Sequence, residues 1–145
     1  MRILVFCPTF GQLGGIERKA ESLLVEFRRL GCEVAVLARG PSARTVTADG
    51  VLVHRLPFRN LPSARRRLDR QLRFWATFPF LLAAARRIIR RWRADVVLTL
   101  AVSPYTPYTA ALARSRPQVF CVETAGPDLR KHRSAYRRAL GRARR

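Results

Sequence analysis

Ile3-Leu4-Val5-Phe6-Cys7-Pro8-Thr9-Phe10-Gly11-Gln12-Leu13-Gly14-Gly15-Ile16-Glu17-Arg18-Lys19-Ala20 decides the fold, because the hydrophobic period changes inside it. Four consecutive apolar residues, Ile3 to Phe6, end at a Pro/Gly segment, the pattern of a strand buried on both faces of a parallel sheet. Beyond the glycines, Ile16, Ala20, Leu23, Leu24 and Phe27 recur at steps of three and four, with Arg18, Lys19, Glu21, Glu26 and Arg28 between them. That spacing predicts an amphipathic helix, and Gly31 predicts its stop. A strand, a glycine loop and a helix in this order bring free backbone N–H groups and a positive dipole end to the carboxyl edge of the sheet. Gly14 and Gly15 let a ligand approach the backbone there, or they only make a tight turn. The loop is neither a G-x-x-x-x-G-K-S/T phosphate loop nor a G-x-G-x-x-G dinucleotide fingerprint. The next apolar run ends Leu37-Ala38-Arg39-Gly40 with no acid for ribose hydroxyls, which disfavours NAD, while Arg39 leaves an NADP-binding Rossmann-like protein open.

Working outward, Glu33 to Ala38, Val51 to Leu56, Asp95 to Leu100 and Gln118 to Glu123 are further strand-like runs. Residues 40–50, with Pro41, Ser42 and Asp49, read as a polar connection. His54 reads as a structural residue at a strand's end. Residues 64–93 read as one or two helices, and Pro79 is expected to kink or break them near Phe78. Residues 109–114 form a short helix, and the segment 101–108 lies at a strand's carboxyl end, where open α/β sheets place ligands. Alternating strands and helices with right-handed crossovers predict an α/β fold, a doubly wound parallel sheet of Rossmann-like type in a single domain. Residues 1–128 make up that domain, and 129–145 a basic helical tail.

The 145 residues hold 29 basic against 9 acidic side chains, a formal net charge of +20, and every basic residue except Lys19 and Lys131 is arginine. Residues 65–93 carry net +9 and residues 129–145 net +8, so two segments account for nearly all of the excess. Either the arginines attract phosphate, nucleic acid or anionic lipid, or they reflect codon usage. In the first case Arg65, Arg66, Arg67, Arg86, Arg87, Arg90 and Arg91 are the candidate anion or membrane contacts. Phe74, Trp75, Phe78 and Phe80 would then be the apolar part of that interfacial surface. The apolar stretch Phe74 to Ala85 counts twelve residues, well short of the roughly twenty that span a bilayer. Cys7, Cys32 and Cys121 are odd in number and far apart, with no C-x-x-C or Cys/His cluster. Free thiols in a reducing compartment are expected, without metal or disulfide. The four-residue apolar start is too short for a signal peptide, so a cytoplasmic location is expected.

Gly14-Gly15-Ile16-Glu17-Arg18, then Leu23-Leu24, then Arg29-Leu30-Gly31-Cys32-Glu33-Val34-Ala35-Val36-Leu37 resemble the amino-terminal signature of glycosyltransferase family 4. Family members share the GT-B fold of two Rossmann-like domains, and the first opens with a strand, a GG-x-E loop and helix, and a second strand entered as G-H-E-V. Cys32 stands where the family commonly has His. Ala94-Asp95-Val96-Val97 is similar to the family's entry into the fourth strand.

The resemblance implies transfer of a sugar from a nucleotide sugar to an acceptor, with retention at the anomeric carbon. It implies that this domain receives the acceptor, with a lipid-linked or cell-envelope glycan as one such acceptor. The donor would be held mainly by a second domain carrying an E-x7-E motif. That motif is absent here, since Glu17, Glu21, Glu26, Glu33 and Glu123 are never eight apart. The expectation is therefore the amino-terminal half of a GT-B enzyme, truncated and inactive alone, or working with a partner chain that carries the second domain. By the same resemblance Gly14, Gly15 and Glu17 are substrate-binding candidates. Glu123 and Thr124 stand across the cleft, and Glu123 occupies the position of a family His near the reacting sugar. No cofactor is implied beyond the nucleotide sugar as substrate. Peripheral attachment to the inner face of a membrane fits the basic segments. The alternative is a basic α/β module binding membrane or nucleic acid, although no nucleic-acid recognition motif is present.

Overall fold

In a computed structural model, which describes residues 1–12, 14–59, 68–101, 108, 111, 112 and 118–122, the amino-terminal apolar run is the central strand β1 (Arg2–Phe6). It is followed by α1 (Gly15–Arg29), β2 (Glu33–Arg39), β3 (Arg44–Ala48), β4 (Val51–Leu56), α2 (Leu68–Arg91), β5 (Val96–Ala101) and β6 (Gln118–Val122). The sheet order is β3-β4-β2-β1-β5-β6. β4, β2, β1, β5 and β6 run parallel, and β3 pairs antiparallel with β4 at the edge. With β3 set aside, the strands stand in the doubly wound order of a Rossmann-like sheet, which reverses direction between β1 and β5.

Period two along β1 explains why its sequence is apolar throughout. Ile3, Val5 and Cys7 pack with Ala20 and Leu24 of α1, while Leu4 and Phe6 pack with Phe74, Ala85 and Ile89 of α2. Both faces of the strand are therefore dry. α1 ends as Gly31 foretold. The Gly31 N–H bonds the Arg28 carbonyl and the Cys32 N–H bonds the Phe27 carbonyl, with Gly31 at φ +76°. That is the Schellman arrangement, in which a left-handed residue closes the last turn.

Two local expectations give way. Residues 40–50 are not merely a connection, because Arg44–Ala48 forms β3. Asp49 and Gly50 turn it back into β4 with φ of +50° and +72°. An Asp-Gly pair between alternating residues is the signal for such a hairpin, since its positive φ angles match the right-handed strand twist. Pro79 does not break its segment either: α2 runs through it from Leu68 to Arg91. Proline in a helix interior costs about 3 kcal/mol. Phe74 before it and Ala85 and Ile89 after it are all buried against one face of the sheet, and packing on both sides holds the helix together. Of the expected helix 109–114, Ala111 and Leu112 are described and are helical, as is Tyr108. The basic tail 129–145 lies outside the described residues. Among the described residues no helix is long and apolar enough to cross a membrane.

Candidate functional site at the carboxyl edge of the sheet

The loop between β1 and α1 leaves the carboxyl edge of the sheet beside the point where strand order reverses. It is tied down by backbone bonds: Cys7 N–H to the Leu37 carbonyl (3.1 Å), Phe10 N–H to the Cys7 carbonyl (3.1 Å) and Arg39 N–H to the Pro8 carbonyl (2.9 Å). These fix the loop to the end of β2. The helix then starts without a side-chain cap at Gly14, so its first N–H groups stay available.

The two glycines differ in what surrounds them. The Glu17 carboxylate folds back over Gly14, so close that a methyl group on Gly14 would collide with Oε2 and Cδ. Around Gly15 there is open space within 4 Å. Gly14 thus makes room for Glu17, and Gly15 is the position a ligand can approach. Glu17 is buried to 7% exposure. It lies in the first turn of α1, where a carboxylate complements the helix dipole.

Below the loop, burial pushes the Cys7 thiol from about 9.0 up to about 11, and the nearby Glu17 charge acts in the same direction against hydrogen bonds with Thr9. Cys7 is accordingly a neutral, structural thiol, and it and the half-buried Cys32 are both free. His54 bonds Thr45 across the hairpin, Nδ1 to Oγ1 at 2.9 Å, and burial lowers its pKa. It acts as the structural residue the sequence suggested.

On the other side of the loop stands a residue the sequence did not single out. Arg55, near the end of β4, donates from Nη1 to the Arg39 carbonyl at 3.0 Å. A Cβ added at Gly11 would lie 3.3 Å from its Nη2, and one added at Gly40 would lie 2.7 Å from its Cβ. The loop therefore sits between a carboxylate pressed on Gly14 and a guanidinium pressed on Gly11. A Gly after each of two apolar strand runs, Gly11 beyond β1 and Gly40 at the end of β2, is the trace this leaves in the sequence.

Of the other candidates, Glu123, Thr124, Arg65, Arg66 and Arg67 lie outside the described residues. Arg86 is half-buried and donates to the Ala111 carbonyl at 3.1 Å, so it ties α2 to the helical residues at 111 and 112. Arg87, Arg90 and Arg91 are exposed. Phe74 and Phe78 leave the interfacial set. Phe74 is 1% exposed, and the Phe78 ring stacks 4.8 Å from that of Tyr108, because both rings face the sheet. Leu72, Trp75 and Phe80 are the large exposed apolar residues of α2 among the described ones.

With the site laid out, the sequence model of the glycosyl transferase 4-like domain matches residues 14–145. The chain belongs to this glycosyl transferase 4-like family. Two solved structures share the fold of this family 4-like domain. Sucrose-phosphate synthase from Thermosynechococcus elongatus superposes with a TM-score of 0.61 at 12% identity, over 91% of this chain and 35% of that one. MurG from Acinetobacter baumannii gives 0.60 at 15% identity, over 95% of this chain and 39% of that one. Both have the GT-B architecture, and the present chain spans little more than a third of their length. No curated protein sequence matches it.

Proposed function

We propose that this glycosyl transferase 4-like domain is the acceptor-side half of an enzyme that transfers a sugar from a nucleotide sugar. In this reading the acceptor lies against the β1–α1 loop. Its hydroxyl attacks the anomeric carbon while the nucleotide diphosphate departs, held by a second domain or a partner chain that carries one. The observation that carries the reading is the loop itself: Gly15 open to approach, Gly14 closed over by buried Glu17, and an uncapped helix start at the carboxyl edge. Free N–H groups there would bind sugar hydroxyls or diphosphate oxygens, and Glu17 would keep the loop in shape. Glu123 and Thr124 would complete the cleft from the far side.

The test is an amide chemical-shift titration of the 145-residue chain with methyl glycosides and nucleotide sugars. Shifts centred on Gly11, Gly14, Gly15 and Glu17, lost in Gly15→Val, support the reading. Shifts centred instead on the amino edge of the sheet, around Arg28 and Trp92, or none at the loop, would overturn it.

A second observation supports peripheral attachment of the same domain to an anionic membrane from the cytoplasmic side. Leu72, Trp75 and Phe80 are 63%, 54% and 76% exposed on α2, with exposed Arg73, Arg87, Arg90 and Arg91 along the same helix. Apolar side chains flanked by arginine suit the headgroup boundary of anionic lipid. A lipid-linked acceptor would be met there. Flotation with phosphatidylserine vesicles should fall with salt and with Trp75→Ser/Phe80→Ser, and binding indifferent to both removes the membrane reading.

A further inference from the structure

β2 and β4 do not pair over their whole length. The register between them starts at Ala35 and Leu52, two residues into β2 and one into β4, and a cavity of about 250 Å³ lies at these amino ends. Its apolar wall comes from both layers of the fold. Leu52 and half-buried Trp92 pack with the cluster under α2, while Cys32 and Val34 pack with the cluster under α1.

One cation lines this wall. Arg28, in the last turn of α1, donates from Nη1 to the Asp49 carbonyl at 3.0 Å, and a Cβ added at Gly50 would lie 3.1 Å from its Nη2. The turn at Asp49-Gly50 thus holds the guanidinium in place and uses one of its five donors. Among the described residues no carboxylate pairs with it. The acid of the lining, Glu33, is already engaged by Arg2 Nε at 2.9 Å. The helix ends offer little to a cation, because their last carbonyls are taken. Those of Phe27 and Arg28 accept from Cys32 and Gly31, and those of Ile88, Ile89 and Arg90 accept from Trp92, Ala94 and Arg93.

An apolar wall with one indole, one neutralised acid and one guanidinium answered only by a carbonyl matches an amphipathic anion. A single carboxylate suits the single guanidinium, since both are planar and bond in pairs. An aromatic body suits Trp92, whose ring favours edge or offset contact with another ring. The volume lies just below the roughly 300–1,000 Å³ of sites for drug-sized ligands, so the occupant is small.

We propose that this cavity is a second binding site, for a small aromatic carboxylate, at the end of the sheet opposite the β1–α1 loop. The carboxylate takes free donors of Arg28, and the ring lies against Trp92 and Leu52. The five residues of β1, at about 3.3 Å each, keep this occupant clear of the sugar-transfer cleft. α1 joins the two sites, with Gly15 in its first turn and Arg28 in its last. The site stands whether or not the glycosyl-transfer reading does.

The test titrates the whole chain at about 0.15 M chloride, where loose surface attraction is largely screened. The probes are 3-phenylpropionate, 3-phenylpropylamine and acetate, read through amide signals and the Trp92 indole N–H. 3-Phenylpropionate should shift Cys32, Val34, Gly50, Leu52 and the Trp92 indole, and leave Gly14 and Gly15 in place. Acetate, which lacks the ring, and the amine, which has the wrong charge, should each bind at least about tenfold more weakly. Arg28→Gln should weaken 3-phenylpropionate at least about tenfold, and Arg28→Lys should recover only part of it, because the fork is lost. Trp92→Leu should weaken it about threefold to tenfold, and Arg87→Gln, at an exposed arginine of α2, should change nothing. Thermal melts confirm that each variant is folded. No shift at the cavity in the wild type, or affinity kept within about twofold in Arg28→Gln, overturns the site. Amine binding equal to 3-phenylpropionate overturns the anion assignment, and acetate binding equal to it overturns the aromatic one.

Discussion

The two edges of the sheet use the same residue types and treat them in opposite ways. At the amino edge acids and arginines meet among the described residues. The Arg2 backbone N–H bonds Asp95 Oδ2 at 2.7 Å and the Asp95 N–H returns to the Arg2 carbonyl at 2.9 Å. The Arg2 Nε meets Glu33 Oε2 at 2.9 Å, and Arg28 reaches the Asp49 carbonyl at 3.0 Å. At the carboxyl edge Arg55 has a carbonyl and Arg44, among the described residues, has no partner, while Glu17 is turned onto a glycine. A cavity of about 250 Å³ lies at the amino edge, beside Arg28, Glu33 and Trp92, but strand direction and the uncapped start of α1 favour the sugar acceptor at the other. One edge carries an ion pair between strands, while at the other, among the described residues, Arg44 and Arg55 have no carboxylate partner and α1 starts without a side-chain cap.

That contrast can be attacked first through the thiol beneath the carboxyl edge. Cys7 has a folded pKa of about 11 against an ordinary 9.0, so the native state holds its proton more tightly than the unfolded chain does. Its contribution is intact below pH 9 and is lost as pH rises from 9 towards 11, by about 2–3 kcal/mol. Denaturant midpoints across that interval should fall more steeply for the wild type than for Cys7→Ala. Parallel slopes would mean that the thiol is not buried as described.

Next in size is the collision at the loop. Gly14→Ala should cost about 1 kcal/mol, the low end of the overpacking range, because the atoms it meets are the movable end of Glu17, and Glu17→Ala in the same chain should recover most of it. Gly15→Ala should stay within about 0.5 kcal/mol while weakening ligand at the loop. Equal penalties at both glycines would erase the distinction drawn between them. Smallest is the amino edge. Arg2→Ala removes a partly exposed ion pair with Glu33 and should cost about 0.2–1 kcal/mol, diminishing in high salt. Loss of sugar binding in that variant would contradict the contrast between the edges.

Much of the fold was legible because its signals are local. The run Ile3 to Phe6, the three-and-four spacing of Ile16 to Phe27, and Gly31 each report on residues within one or two turns of themselves. The hairpin at Asp49-Gly50 was equally local, and it was hidden by reading residues 40–50 only for polarity. At Pro79 the local rule offered a kink or a break, and the break does not occur, since residues on both sides are anchored to the same sheet. The aromatics of α2 could not be sorted from the sequence, because residues 74–85 are apolar on every side. Only the position of the sheet separates buried Phe74 from exposed Phe80.

The candidate site divides in the same manner. Gly14, Gly15 and Glu17 were visible as a motif, since all three lie in one turn and Glu17 acts on Gly14 directly. By itself the sequence determined the order of the parallel strands and the helices between them, the Rossmann-like sheet and the loop at its carboxyl edge, for these follow from periodicity and turn chemistry read along the chain. Only the tertiary structure decided that Gly11, Gly40 and Arg55 form one feature, that Arg44 lies opposite Arg55, and that acids gather at the other edge. Those relations join residues that are not neighbours in sequence, and they exist only once the strands have been brought into register.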